Sequence, residues 1–141
     1  MDQNAISGAW RLDRHQRRSL SGEVQEIPNW DGLLIYTSDG YMSAVMSNTL
    51  RPWFASNDIR AGIPNETKAA FDSYLSYCGR YTLLGDQVIH HVEMSMFPNW
   101  KGGDQPRFVS MKEGRLILSA PPMLVEGEEW TYELHWSRPS P

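Results

Sequence analysis

The stretch that decides the fold is Gly79–Trp100, which reads GRYTLLGDQVIHHVEMSMFPNW. Two runs of alternating side chains flank Gly-Asp at residues 85–86, a two-residue turn signal, so the stretch predicts a β-hairpin. Such a turn sets the register and would place Tyr81 opposite His90 on one face. The rest of that face is apolar. It therefore predicts an interior surface on which a phenol and an imidazole meet.

Two further hairpins predict more of the interior. A turn at residues 39–40 would pair residues 33, 35 and 37 with residues 46, 44 and 42, and a turn at residues 113–114 would pair Val109 with Leu118. In the final strand, residues 130, 132, 134 and 136 share one face. A cavity lining or an ordinary filled core would both suit these side chains. The residues predicted to bind a ligand are Leu33, Ile35, Met42, Ala44, Met46, Val92, Met94, Val109, Tyr132 and Trp136.

Turn signals recur at short intervals along the chain, which is typical of an antiparallel all-β domain. One helix is predicted at 66–78, with Asn65 as its N-cap, after a long loop at 48–65. Closure would remove the exposed edges of the sheet, so the sequence predicts a closed antiparallel barrel of eight or nine strands with one short helix. A barrel of about eight strands can hold one small ligand. The predicted strands are 8–16, 22–27, 32–38, 41–47, 79–84, 87–97, 105–112, 115–120 and 129–138.

Length and charge exclude several classes of function. The chain has 141 residues, which predicts one domain spanning 1–141, and a net charge of -4 with both signs interspersed. Without a basic stripe, nucleic acid is not expected as a partner. No apolar run is long enough for a signal peptide or a membrane span, so we expect no membrane partner and a cytoplasmic protein. A homodimer is left open.

Three side chains are candidates for chemistry. His90 and Tyr81 could donate or accept a proton in an apolar cavity, or they could simply satisfy each other across the strands. Arg107 extends the apolar face of the third hairpin, where an unpaired guanidinium is costly to bury. It could polarise a substrate carbonyl, or it could form a rim salt bridge with Asp104 or with a carboxylate elsewhere. The predicted catalytic residues are His90, Tyr81 and Arg107.

A metal site and a bound cofactor are not expected. His91 and Glu93 share a strand face and could be joined by His135, but no HExxH or paired-cysteine motif is present. A surface cluster of Arg80, His91 and Glu93 accounts better for these residues. The sequence also has neither glycine-rich phosphate motif, so nucleotide chemistry has no anchor.

Several segments of this sequence also resemble a known family. They are Gly8-Ala9-Trp10, the hairpin at 34–44, the segment at 77–81, the run from His90 to Trp100, and Arg107. Together they resemble the small lipocalin-like domain family of bacteria and fungi, over residues 7–138. The resemblance implies a barrel that binds small hydrophobic molecules. By analogy with lipocalins, Trp10 would close one barrel end beneath Arg138.

The resemblance leaves the function open between an enzyme and a binding protein, because similar single barrels include cofactor-free cyclases and isomerases of natural-product pathways. The first hypothesis is a barrel that encloses a polyketide- or terpenoid-like molecule and promotes its cyclisation or isomerisation without a cofactor. The second is a non-catalytic carrier or sequestering protein that uses the same pocket. The third is a filled barrel that binds a partner through the loop bearing Trp53 and Phe54.

Overall fold

The computed structural model describes residues 2–140 and shows a closed β-barrel. Among these residues no helix is long and apolar enough to cross a membrane. The helices are α1 (Gln3–Ile6), α2 (Pro64–Asp72) and a 3-10 turn at Pro98–Trp100. The strands are β1 (Gly8–Ser19), β2 (Val24–Glu26), β3 (Trp30–Tyr36), β4 (Tyr41–Asn48), β5 (Tyr74–Leu84), β6 (Gln87–Ser95), β7 (Asp104–Lys112), β8 (Arg115–Ser119), β9 (Met123–Val125) and β10 (Glu128–Ser137).

Eight antiparallel strands form the barrel, in the order β1-β3-β4-β5-β6-β7-β8-β10, and β10 pairs with β1 to close it. The short strands β2 and β9 extend the sheet from β1 and β10. Closure leaves the barrel strands without free edges, as the sequence predicted. Strand β9 was not predicted.

One end of the barrel is filled and sealed. Ile6 of α1 is buried against Trp10, whose indole Nε1 donates to the Ile6 carbonyl at 2.8 Å. The Arg138 guanidinium lies 3.7 Å from the centre of the Trp10 ring and donates to the Ser7 carbonyl at 2.8 Å. This cation–π contact confirms the closing role expected for Trp10 and Arg138.

The loop of the first hairpin begins one residue earlier than the sequence predicted, at residue 38 rather than residue 39. The loop has three residues, 38–40, because the Thr37 amide donates to the Tyr41 carbonyl at 2.8 Å. The pairing therefore shifts, and Leu34 and Tyr36 face the core. A one-residue shift reverses every side chain on a strand. The interior position predicted for Leu33 and Ile35 is wrong, since both lie on the outer face.

The second hairpin keeps its predicted pairing of Tyr81 with His90 only as far as a β-bulge. Gly79 pairs with Val92 but Cys78 pairs with Met94, so Glu93 is an extra residue. The bulge turns Met94 outward, where 64% of its surface is exposed. The interior position predicted for Met94 is therefore wrong, and Ser95 takes the inner face beside Tyr77.

The predicted helix at 66–78 is displaced toward the N-terminus. It begins at Pro64, after Ile63 rather than Asn65 at the N-cap, and ends at Asp72. Residues 74–78 instead belong to β5, where they pair with residues 43–47 of β4. An apolar spacing of three and four residues over so short a run also suits a strand when a partner strand is available. The pairing with β4 therefore makes these residues a strand rather than the end of a helix.

Gly79 gives a direct test of the bulge. A Cβ at this position would lie 1.9 Å from the His91 carbonyl oxygen, so backbone would have to move. We expect Gly79→Ala to lower the free energy of unfolding by at least about 2 kcal/mol, measured by urea denaturation. Gly103→Ala is the control, since its Cβ would meet its nearest neighbour at 3.5 Å. Equal stability of the two variants would contradict the close approach at Gly79.

Candidate ligand cavity

A cavity of about 950 Å³ opens at the barrel end opposite Trp10. Its walls come from the later part of β1 and from the first residues of β3, β5 and β7, while Trp10 lies near the start of β1. The apolar wall includes Trp30, Met46, Leu75, Trp100 and Leu134. The volume is that of a site for a small organic molecule.

The predicted lining residues divide into three groups. Met46 and Tyr132 line the cavity. Five others belong to the packed core or lie against it, and these are Met42, Val92, Trp136, Ala44 and Val109. The remaining three, Leu33, Ile35 and Met94, are on the outside of the barrel.

Arg107 is a buried charged group on the cavity wall, which also carries Arg17, Glu26 and Asp72. It lies on β7 and is 9% exposed, although it carries a guanidinium. Its Nη1 donates to the Pro106 carbonyl at 2.9 Å and its Nη2 to Gln105 Oε1 at 3.2 Å. No carboxylate of residues 2–140 forms a salt bridge with it, and Asp104 instead lies 2.8 Å from His91. Arg107 therefore presents a buried cation that is bonded only to neutral groups.

His90 lies beneath the cavity and does not line it. Its Nε2 is 2.6 Å from the Tyr36 hydroxyl and its Nδ1 is 2.6 Å from the Tyr77 hydroxyl, and the side chain is 1% exposed. Burial lowers the pKa of His90 to about 3, and the charges of Arg107 and His91 act in the same direction. The imidazole is therefore neutral at ordinary pH and bonded on both sides.

The predicted contact between the Tyr81 hydroxyl and His90 is wrong, although the two residues pair in the sheet. The Tyr81 hydroxyl donates to the Thr37 carbonyl at 2.7 Å, at the sealed end of the barrel. Its ring meets Tyr36 edge-on, with 4.9 Å between ring centres. The phenols that do reach His90 are those of Tyr36 and Tyr77. The sequence did not predict these contacts, because the register of the first hairpin was shifted at Tyr36 and a helix was predicted at Tyr77.

Burial also raises the pKa of both phenols that flank His90. Desolvation is the main cause for each, because a phenolate is poorly solvated inside the barrel. The charge of Arg107 opposes the shift in both cases. Tyr36 and Tyr77 are therefore neutral hydrogen-bonding groups rather than anions that could balance Arg107.

His15 is a cavity residue that the sequence reasoning missed. A β-bulge at Asp13 moves the inner face of β1 from Trp10 and Leu12 to His15 and Arg17. The imidazole packs against Tyr132, with 5.7 Å between ring centres, and its buried Nδ1 has no hydrogen-bond partner in the described range 2–140. Burial, followed by the charge of Arg17, lowers its pKa to about 4.

Nothing in the sequence marked this bulge, since plain alternation from Trp10 would have turned His15 outward. Arg17, two residues further along the same inner face, lies over the Trp130 ring at 3.8 Å. It also donates to Gln25 Oε1 at 3.0 Å. These contacts hold the guanidinium at the mouth of the cavity.

The outer-face histidines bond to their own neighbours. His91 lies 2.8 Å from both Thr82 Oγ1 and Asp104 Oδ1, and His135 lies 2.7 Å from Glu133. In the part of the chain that the structure describes, no group of three histidine, cysteine or acidic side chains could hold a metal ion.

Comparisons with known proteins agree with this geometry. A family model described as a lipocalin-like domain matches residues 7–139. The chain is 34% identical over 106 residues to the 4'-hydroxy-3'-methoxypropiophenone carrier protein ppsC of Aspergillus oryzae, covering 69% of this chain and 96% of that protein.

Among solved structures, the fold is similar to a lipocalin-like protein from Bacteroides uniformis. The TM-score is 0.50 at 14% identity, over 95% of this chain and 99% of that one. This likeness concerns the fold alone. With its eight-stranded barrel and a family match over nearly its whole length, the chain belongs to the lipocalin-like domain family.

Proposed function

We propose that the protein binds one small aromatic molecule in the cavity and carries it without changing it chemically. The observation that carries this proposal is an apolar cavity of about 950 Å³ with Arg107 on its wall. Arg107 is buried and forms no salt bridge with a carboxylate of residues 2–140. Apolar walls favour a hydrophobic ligand, and a few placed polar groups fix its orientation. A carrier needs no more than these two features.

The charge of Arg107 indicates a ligand with an oxygen acceptor. A buried guanidinium is stabilised when a carbonyl, phenolate or carboxylate oxygen approaches it. The aromatic residues Trp30, Trp100 and Tyr132 on the wall suit a planar ring. A methoxylated aryl ketone, such as the one in the name of the Aspergillus oryzae relative, combines the ring with the acceptor.

The positions of the candidate catalytic residues favour a carrier over a cyclase or isomerase. Only Arg107 of the three lines the cavity, while His90 is sealed between two phenols and Tyr81 bonds a backbone carbonyl. An acid or base must come within hydrogen-bond reach of the proton that it moves. Neither His90 nor Tyr81 meets that condition here.

A cofactor-free cyclase or isomerase is the second candidate, and His15 is the observation that favours it. Its Nδ1 has no partner among residues 2–140, and its side chain lines the same cavity as Arg107. A shaped cavity can also fold a flexible substrate into a reactive conformer by itself. The two candidates differ in whether the ligand is recovered unchanged.

We expect 4'-hydroxy-3'-methoxypropiophenone to bind with a stoichiometry of one, measured by isothermal titration calorimetry and native mass spectrometry. Leu75→Trp places an indole in the cavity and should weaken binding at least about tenfold, since the ligand loses its space. Leu33→Trp is the matched control, because Leu33 lies on the outer face and this variant should bind as the wild type does.

Two outcomes would contradict the carrier proposal. Binding by Leu75→Trp as tight as that by Leu33→Trp would place the ligand outside the cavity. After incubation, chromatography with mass detection should return the compound unchanged. A new isomer or cyclised product that forms with protein but not with buffer would favour the enzyme instead.

The neutral state of His90 gives a pH test of its structural role. Its pKa in the folded protein is about 3 and that of an unfolded histidine about 6.5, so between these values the unfolded state binds an extra proton. Stability is therefore full above pH 6.5 and falls as the pH drops. His90 alone should contribute about 1.4 kcal/mol per pH unit between pH 6 and pH 4.

We expect His90→Gln to reduce this slope in urea denaturation series, while its amide still bonds the two phenols. In the wild type, the His90 ring resonances in NMR should not change between pH 7 and pH 5. Protonation of His90 within that range would contradict the buried neutral state and restore it as an acid–base candidate.

A further inference from the structure

We infer that the hydroxyl of Tyr77 is a ligand-binding group, and that together with Arg107 it recognises a carbonyl-type oxygen at the floor of the cavity. The inference rests on the proposed binding function and names the part of the ligand that this end of the site selects. It follows from where the protons of the Tyr36–His90–Tyr77 chain must lie.

A neutral imidazole has one nitrogen that donates and one that accepts. His90 lies between two hydroxyls at 2.6 Å, so one phenol donates to it and the other accepts from it. The phenol that accepts keeps its own hydrogen, which then needs another acceptor. The position of that spare hydrogen depends on which of the two nitrogens is protonated.

Tyr36 is the phenol that has to donate. It is 1% exposed, and its hydroxyl has no hydrogen-bond partner besides His90 Nε2 among residues 2–140. If Tyr36 accepted from Nε2, its own hydrogen would be buried without a partner, which is strongly unfavourable. Tyr36 therefore donates to Nε2, and His90 carries its hydrogen on Nδ1 and donates it to the oxygen of Tyr77.

The spare hydrogen is consequently on Tyr77. No acceptor for it is found in the part of the chain that the structure describes. Tyr77 follows the cavity residue Leu75 on the inner face of β5, and its ring packs edge-on against Trp100 of the cavity wall at 5.7 Å. Tyr77 is 7% exposed and is not itself a lining residue, so a ligand oxygen would accept from its free O–H only at the inner end of the cavity, next to Leu75 and Trp100.

Two neighbouring side chains indicate that a polar group of a ligand would be stabilised beside the Tyr77 hydroxyl. Ser95 is paired with Tyr77 across β5 and β6, and its buried Oγ has no hydrogen-bond partner within the described part of the chain. Arg107 lines the cavity, and its charge acts on Tyr36, Tyr77 and His90 alike. A hydroxyl donor beside a guanidinium suits an oxygen with two lone pairs, such as that of a ketone.

The first test reads the proton position without any ligand. In protein labelled with ¹⁵N at histidine, long-range proton–nitrogen NMR spectra distinguish the two neutral tautomers. We expect His90 Nδ1 to be protonated and Nε2 to be the acceptor. A proton on Nε2 would overturn the inference and leave the proposed binding function standing.

The second test compares two probes that differ only at the carbonyl. These are 4'-hydroxy-3'-methoxypropiophenone and 2-methoxy-4-propylphenol, in which a methylene replaces the ketone. We expect the wild type to prefer the ketone at least about tenfold by calorimetry. Tyr77→Phe should remove most of that preference, because it deletes the O–H and retains the ring.

Tyr81→Phe is the matched control, since it deletes a buried hydroxyl of the same strand that bonds the Thr37 carbonyl at the sealed end. It should keep the preference for the ketone. If Tyr77→Phe also kept it, the inference would be overturned while binding stood. If the wild type bound neither probe, the proposed function would fail as well.

Discussion

The hydrogen bonds that hold the neutral imidazole of His90 between two phenols divide this barrel into a packed end and a cavity. The imidazole joins β6 to β3 through Tyr36 and to β5 through Tyr77, at 2.6 Å on each side. Each of these groups would be costly to bury alone, by about 1–3 kcal/mol for each unmet hydrogen bond. Bonded together, they form a polar layer across an otherwise apolar interior. The packed end with Trp10 and Leu116 lies to one side of this layer and the cavity to the other.

The same layer accounts for the character of the cavity floor. Because His90 is neutral and the phenols are un-ionised, nothing in the layer balances the charge of Arg107 beside it. The cation is held by the Pro106 carbonyl and the Gln105 amide, which orient it but do not neutralise it. A ligand that brings electron density to this end gains more than one that brings only apolar surface. In the proposed function, the packed half of the barrel thus supports selectivity in the open half.

Much of the fold could be predicted from the sequence, because turn signals and alternation are local. The pairing of Tyr81 with His90 and the pairing of Val109 with Leu118 followed from residues within a few positions of a turn. Closure of the barrel followed from the number of strands and the edges that an open sheet would expose. The register predicted for the first hairpin was wrong because a two-residue and a three-residue loop fit the same Asp-Gly signal. The helix was predicted to extend too far because the apolar residues of 74–78 have a helical spacing. In the structure these residues pair with β4 and form a strand instead.

The candidate site was harder to predict than the fold, and the reason is physical. Side-chain direction along a strand depends on counting by twos, so one extra residue reverses everything beyond it. The bulge at Glu93 turned Met94 outward, and the bulge at Asp13 brought His15 inward. Both bulges lie between the sealed end and the cavity, so alternation counted from the turns no longer holds on the cavity side of them. The cavity begins where regular alternation ends, and a bulge is the local irregularity that redirects a polar side chain such as His15 toward it.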